Sequence, residues 1–463
     1  MEKTKVNLGF VPIGKFVFSH QDALKYKKLI EEKLKKWNVF YTPIDKIITD
    51  GIVRFQKDVD KVVGYLKGKN VDGVFIPHCN FGTESAVGMI AKKLNVPVLL
   101  WGPRDECPLE NGERLRDTLC GLFATSKVLH KLKVPFTYIE NCRIEDSAFK
   151  DGIEKFMAVI SVVKNFKNMR IGLIGSRIDF FWTTIVNESE LLEKFGIEIL
   201  PIDIIEFIEK VKNNTKRNKK KYMEELEEVK QEIKFSGFKS SKVILNLFSM
   251  RDIMLEIAEE EKISAFAVQS FMSICKELGC MVEFATAMIS DKGIPVACET
   301  DIHGAISSVL LQSASLNKEM VFLADLTIRH PENDNGILLW HCSSPLSMAD
   351  KKTKKEVSTH WILPDIPSGS CHWKLKDGNL TVLRFDGDGG KYRIIAGEGK
   401  TIKGPYTKNV YVWMEVKNWK EWERRFIEGP YIHHVAVNYG KYQSIIEESI
   451  KYLSDDIVFE KLE

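Results

Sequence analysis

The chain has 463 residues, enough for roughly two to four domains and too many for one compact core. Apolar residues make up 44% and charged residues 28%, a globular composition that excludes disorder as the default state. The 67 basic and 64 acidic side chains leave a formal charge of only +3, so no strong field favours nucleic acid or an anionic membrane, and small-molecule ligands are expected.

The N-terminal residues run straight into a predicted strand without an apolar signal core. No window approaches the roughly 20 apolar residues of a membrane span, so a cytoplasmic protein is expected. The nine cysteines are scattered and lack any C-x-x-C pair, which argues against a disulfide framework or zinc ribbon and predicts that most are buried thiols.

In the first third, apolar strands at 6–11, 74–76 and 96–101 alternate with helices near 21–36 and 84–94. Strands separated by helices of this length require a parallel, doubly wound sheet, assigned to a domain of residues 1–167. Its strands end in polar loops, His78-Cys79-Asn80 and Gly102-Pro-Arg-Asp-Glu106, at the carboxyl edge where such sheets take ligands.

A second α/β domain, 168–345, begins at Met169. Gly172-Leu-Ile-Gly175 resembles a nucleotide-binding turn but lacks the G-x-G-x-x-G spacing of a dinucleotide site, and a tight strand-to-loop turn is expected instead. Residues 209–234 read as one long solvated helix, its mixed charges arguing against a nucleic-acid-binding arm. Further strands fit 265–269 and 294–298. From 346 to 463 the segments become short, aromatic and β-branched, at 373–375, 380–385, 392–395 and 410–416, with Asp377-Gly-Asn379 and Asp386-Gly-Asp-Gly-Gly390 between them. A barrel or sandwich follows. Residues 419–453 return to helix, with His433 and His434 between two helical patterns. The expected fold class is α/β: two doubly wound parallel-sheet domains, then a C-terminal antiparallel β-barrel-like domain whose terminal helix returns to the active site.

The most informative stretch is 283–304. Glu283 opens a helix, and a buried strand then delivers Glu299, Asp301 and His303 in quick succession. No P-loop, G-x-S-x-G elbow or H-E-x-x-H motif occurs. Glu283, Glu299, Asp301, His341 and the His433-His434 pair are hard donors suited to Mn²⁺ or Mg²⁺. The alternative for each is a solvated acid or a hydrogen-bonded structural histidine.

The run Gly293-Ile-Pro-Val-Ala-Cys-Glu-Thr-Asp-Ile-His-Gly-Ala305 resembles the metal-binding segment of the L-fucose isomerase and L-arabinose isomerase superfamily. The similarity continues through Phe322-Leu-Ala-Asp325 and His341-Cys342 to His434-Val-Ala-Val-Asn-Tyr-Gly440. Trp101-Gly-Pro-Arg-Asp-Glu106 and Arg116-Asp-Thr-Leu-Cys-Gly-Leu-Phe123 resemble its N-terminal domain. Val11 stands where the fucose enzymes carry an arginine, so fucose itself is not implied.

The resemblance implies a metal-dependent aldose-ketose isomerase that works through a cis-enediol of an open-chain sugar. Mn²⁺ is the implied cofactor, with Mg²⁺ or Co²⁺ as substitutes. Glu283, Asp301 and His434 match the ligands, the two acids doubling as catalytic groups, and Glu299 is the alternative ligand. His341 resembles a further ligand of the arabinose branch and is grouped with Gln269 among the substrate-binding residues. The family's cleft is completed by a neighbouring subunit, implying a trimer or hexamer in which His20, His78, Asn80, Arg104 and Asp105 reach across, with an Arg104–Asp105 salt bridge as the alternative. Lys15, Arg104, Arg177 and Lys292 leave room for an anionic sugar, phosphorylated or sulfonated. Other readings are a non-catalytic two-lobed sugar-binding or regulatory protein of the same fold, and a nicotinamide-dependent oxidoreductase.

Overall fold

The computed structural model describes residues 5–362 and 365–463. The chain divides into two compact units, Glu2–Lys164 and Asn165–Glu463.

In the first unit, β1 (Leu8–Phe10), β2 (Tyr41–Pro43), β3 (Gly73–Pro77), β4 (Val98–Trp101) and β5 (Thr137–Tyr138) form a parallel sheet ordered β2-β1-β3-β4-β5. Alternate side chains of a strand face opposite sides. Val74, Ile76, Val98 and Leu100 accordingly enter one core while Phe75, Leu99 and Trp101 enter another. Both faces are covered, which is why these strands read as continuous apolar runs.

The second unit contains a parallel sheet and a barrel. β6 (Arg170–Ile174), β7 (Glu198–Ile202), β9 (Ala265–Val268) and β10 (Val296–Cys298) form the sheet, ordered β10-β9-β6-β7, while β8 (Ile233–Phe235) joins the barrel side. Next come β11 (Phe322–Arg329), β12 (Gly336–His341), β13 (Lys355–Ser358), β14 (Ser370–Lys374), β15 (Asn379–Asp388), β16 (Lys391–Ile402), β17 (Val410–Glu415), β18 (His434–Tyr439) and β19 (Ile457–Lys461). Six of them close antiparallel in the order β16-β15-β18-β11-β12-β17, with the β16–β17 pairing sealing the ring. Two barrel strands therefore precede residue 346. The β15–β16 hairpin turns at Gly389 and Gly390, whose φ of 57° and 76° suit a two-residue turn with positive φ at both central positions.

Two readings are corrected. Residues 209–234 are not one solvated helix: Ile204–Arg217 and Lys219–Val229 are separate helices broken at Asn218, and the chain then enters β8. The break lets Phe207, Ile208 and Val211 on one helix and Tyr222 and Leu226 on the next enter the same core. His434 does lie between two helices, Trp419–Glu428 and Gln443–Leu453, but 419–453 is not helical throughout: His434 opens a strand, and all six residues of β18 are buried between β15 and β11. Among the described residues no helix is long and apolar enough to cross a membrane.

Candidate functional site

β10 ends at Cys298, and the chain turns through Glu299 and Thr300 at φ of 59° and 54°. Left-handed backbone at two successive non-glycine residues, one of them β-branched, stores about 1–3 kcal/mol each and occurs where surrounding structure enforces it. Here the Val268 carbonyl accepts from Thr300 N at 3.1 Å, the Cys298 carbonyl accepts from Asp301 N at 3.1 Å, and Ser270 Oγ accepts from Glu299 N at 3.1 Å. The turn delivers Asp301 as N-cap of the helix Ile302–Ala314, with Oδ1 accepting from Gly304 N at 2.9 Å. That helix is buried on every side; Ser307, Ser308 and Ser313 satisfy their hydroxyls on carbonyls one turn back.

Strand pairing sets Asp325 on β11 directly opposite His434 on β18. His434 Nδ1 lies 3.0 Å from Asp301 Oδ2, and its Nε2 lies 3.3 Å from Glu299 Oε2 and 3.5 Å from Asp325 Oδ1. Burial opposes charge on this imidazole, but hydrogen bonds to Asp301 and Glu299 outweigh it and push its pKa up to about 10.

Asp301 has no free oxygen. Arg384 grips both of them, Asp386 accepts from Arg384 Nε at 2.8 Å, and His303 Nδ1 lies 3.1 Å from Asp386 Oδ1. Burial alone would raise the Asp301 carboxyl, yet Arg384 and His434 hold it far below the usual carboxylate range. A carboxylate fixed this way sets the orientation of an imidazole whose other nitrogen faces a metal.

Glu299 and Asp325 differ sharply. Burial raises Glu299 but the His434 hydrogen bond more than compensates, so it lies below its ordinary value. Asp325 is pushed up to about 7 by burial, reinforced by the charges of Glu299 and Asp301 and only partly offset by His434. Its Oδ1 is buried without a hydrogen-bond partner, with His341 Nε2 at 4.0 Å and His433 Nε2 at 3.9 Å. Burial pushes both of these histidines down to about 4. Adjacent ligands of a hard octahedral cation lie about 3 Å apart, given bonds near 2.1 Å. Separations of 3.3 and 3.5 Å around His434 Nε2, with an orphaned carboxylate oxygen among them, fit such an ion.

The structure thus brings Glu299, Asp301, His341 and His434 together. Asp301 stands behind His434 rather than beside the open donors. Glu283 is fully buried, with Cys342 Sγ 3.7 Å from its Oε1 and no partner for Oε2; among the described residues no hydrogen bond or ion pair joins it to His434. Gln269 directly follows β9 and donates to the Ser176 carbonyl at 2.8 Å. Arg177 donates to the Ile178, Asp179 and Phe181 carbonyls.

In the first unit, Asn80 Oδ1 accepts from Lys15 N at 2.7 Å, stapling the loops after β1 and β3. Lys15 Nζ pairs with Glu84 at 3.1 Å, His20 lies against Asp50 and Arg54, and burial pushes His78 down to about 4. Arg104 is exposed, and Asp105 bonds Arg116 and Thr118 instead of Arg104.

The sequence marks Asp325 and Asp386 only as part of a family-like run and of a turn, and Arg384 not at all. The available signal was an acid interrupting the apolar run Phe322-Leu-Ala-Asp325, and an Arg-x-Asp pair inside a barrel strand.

Comparison with known proteins adds independent findings. The profile described as fucose/sulfoquinovose isomerase, N-terminal domain, matches residues 9–167, and that of the L-fucose isomerase C-terminal domain matches 342–460. The chain is 24% identical over 407 residues to a sulfoquinovose isomerase of Alkalicoccus urumqiensis, covering 86% of each chain. It is 23% identical over 438 residues to a sulfoquinovose isomerase of Priestia aryabhattai, covering 93% of this chain and 94% of that one.

Proposed function

The chain belongs to the L-fucose isomerase-like family, and from that premise we propose that it is a divalent-metal-dependent aldose-ketose isomerase of an open-chain anionic sugar, a sulfonated hexose of the sulfoquinovose type. The observation that carries this reading is the convergence of Glu299, Asp325 and His434 Nε2, backed by the Asp301–Arg384 pair. Glu299, Asp325 and His434 would hold the ion, with His341 as a fourth donor. This reading puts Glu299 and Asp325 in place of Glu283 and Asp301, because the Asp301 oxygens are all engaged and the Glu283 carboxyl contacts the Cys342 thiol instead of His434.

An ion of the Mn²⁺ class supplies Lewis-acid polarisation of the sugar carbonyl when bound. The protein's own groups supply the proton traffic. Two acids whose proton affinities are driven apart can serve as base and acid at one pH. Glu299, whose carboxylate lies 3.3 Å from His434 Nε2, takes the proton from C2 and returns it to C1 on the same face of a cis-enediol. Asp325, directly opposite His434 across the strand pair, exchanges a proton with the sugar oxygens as the carbonyl moves from C1 to C2. Asp301 and Arg384 hold the His434 ring throughout.

The reading extends to a cytoplasmic homo-oligomer in which a neighbouring copy's N-terminal domain completes the cleft with His20, Asn80, Arg104 and Asp105. The deciding experiment follows ketose formation from sulfoquinovose, glucose 6-phosphate and neutral aldoses, before and after EDTA. Turnover of the sulfonated sugar that EDTA abolishes and Mn²⁺ restores is expected. Metal-independent turnover, or none on any aldose, would overturn the proposal.

A further inference from the structure

His341 faces two ways. Its Nε2 lies 4.0 Å from Asp325 Oδ1, while its Nδ1 lies 3.2 Å from Cys342 Sγ. The ligand atoms of Cys298, His341 and Cys342 all fall within 4.8 Å of one another. Cys342 Sγ also lies 3.7 Å from Glu283 Oε1, and Glu283 Oε2 is buried without a hydrogen-bond partner. All four side chains are buried, Glu283 completely. The two cysteines are far apart in sequence, Cys298 at the end of β10 and Cys342 just after β12, so motif spacing cannot reveal the cluster.

We propose that Glu283, Cys298, His341 and Cys342 form a second metal site, for a soft or borderline divalent cation of the Zn²⁺ or Cd²⁺ class. Two sulfurs, one nitrogen and one carboxylate oxygen make a tetrahedral set. With Zn–S bonds of 2.3 Å and Zn–N or Zn–O bonds near 2.1 Å, neighbouring donors lie about 3.3–3.8 Å apart. The observed 3.7 Å sulfur–oxygen separation falls within that spacing, and the 3.2 Å sulfur–nitrogen separation lies just below it. The orphaned Glu283 oxygen gains a cation as partner, and the two thiol protons leave to solvent as the ion enters. Mn²⁺ and Mg²⁺ prefer the oxygen donors of the neighbouring site, so softness divides the two positions.

The effect on catalysis rests on the isomerase reading. A neutral imidazole ligated through Nδ1 carries its proton on Nε2, so an ion among the thiols takes a lone pair away from the carboxylate site. Occupancy of the thiol site therefore inhibits the Mn²⁺-loaded protein.

The test titrates the reduced, full-length protein with Cd²⁺ and with Co²⁺ while following thiolate-to-metal charge-transfer absorption in the near ultraviolet. The expected result is a band that saturates at one equivalent, survives excess Mn²⁺ and disappears in Cys298→Ser and Cys342→Ser. A parent without the band, or variants that keep it, would overturn the proposal. Should the serine variants fail to fold, Cys298→Ala removes the sulfur without burying a hydroxyl, and Glu283→Gln must weaken cation binding at least 10-fold. In a parallel assay, Zn²⁺ at one equivalent inhibits the Mn²⁺-loaded parent and spares Cys298→Ala. The absorption readout does not involve turnover, so it stands or falls separately from the isomerase activity.

Discussion

Arg384 meets Asp301 in a two-pronged pair, Nη1 to Oδ2 at 2.5 Å and Nη2 to Oδ1 at 3.1 Å, with neither side chain more than 1% exposed. The pair fixes an acid that the sequence offered as a ligand in a position where it holds the His434 imidazole, Nδ1 lying 3.0 Å from Oδ2. Asp301 cannot rotate without breaking both Arg384 Nη contacts and the cap on Gly304 N.

Removing one partner of a buried ion pair strands the other charge, at a cost of about 3–5 kcal/mol. Arg384→Met and Asp301→Asn should each destabilise the protein by that order, and the double variant by much less than their sum. Urea unfolding of the four proteins gives the coupling energy. Additive losses would show that the pair contributes nothing as a unit.

Asp301→Asn also separates anchoring from ligation. A carboxylate that only orients a metal-bound imidazole typically changes metal affinity 10–100-fold when removed. Mn²⁺ binding followed by electron paramagnetic resonance should weaken within that range, and saturating Mn²⁺ should restore most of kcat. Complete loss of Mn²⁺ binding would return Asp301 to the ligand set.

The fold was legible because burial on both faces leaves unbroken apolar runs in β3, β4 and β9, and because aromatic, β-branched segments with Gly-rich turns mark β15 to β17. β18 was hidden because Val435, Ala436 and Val437 fit a buried helix as well as a strand, and only pairing with β11 decides. At the site, the sequence singles out His434 as a ligand but not Asp325. A lone acid in a strand reads as solvent-facing, and its position opposite His434 depends on a strand register that no local pattern encodes. Arg384 was invisible for the same reason: its partner Asp301 lies on another element.

Two buried acids should make the metal-free protein lose stability as pH rises. Burial pushes Asp325 from an ordinary 3.8 up to about 7, and Glu283 from 4.5 up to about 8. The folded state therefore holds these protons more tightly than the unfolded chain. Their contribution is intact below the ordinary values and lost as pH climbs to about 7 and about 8. The slope approaches about 1.4 kcal/mol per pH unit for each group. In urea unfolding with EDTA, Glu283→Gln should flatten the decline over its window, and the difference from the parent cancels the pH dependence of all other groups. Parallel curves would mean that Glu283 is solvated or already paired.

The identity of the carbon base is decided by two glutamine variants. Glu299 lies 3.3 Å from His434 Nε2 and is held ionised, whereas the partner of Glu283 is the Cys342 thiol. Loss of a positioned general base lowers rate about 10²–10⁴-fold. Glu299→Gln should fall by that factor in kcat and also bind Mn²⁺ more weakly, while Glu283→Gln stays within about 10-fold of the parent, well short of the loss that removing a base brings. With an aldose deuterated at C2, the residual turnover of Glu283→Gln should still carry deuterium to C1 of the ketose, because the shuttling carboxylate is intact. If Glu283→Gln is the dead variant and Glu299→Gln the active one, the base sits on the helix Glu283–Ser290 and the proton path runs along the other wall of the cleft.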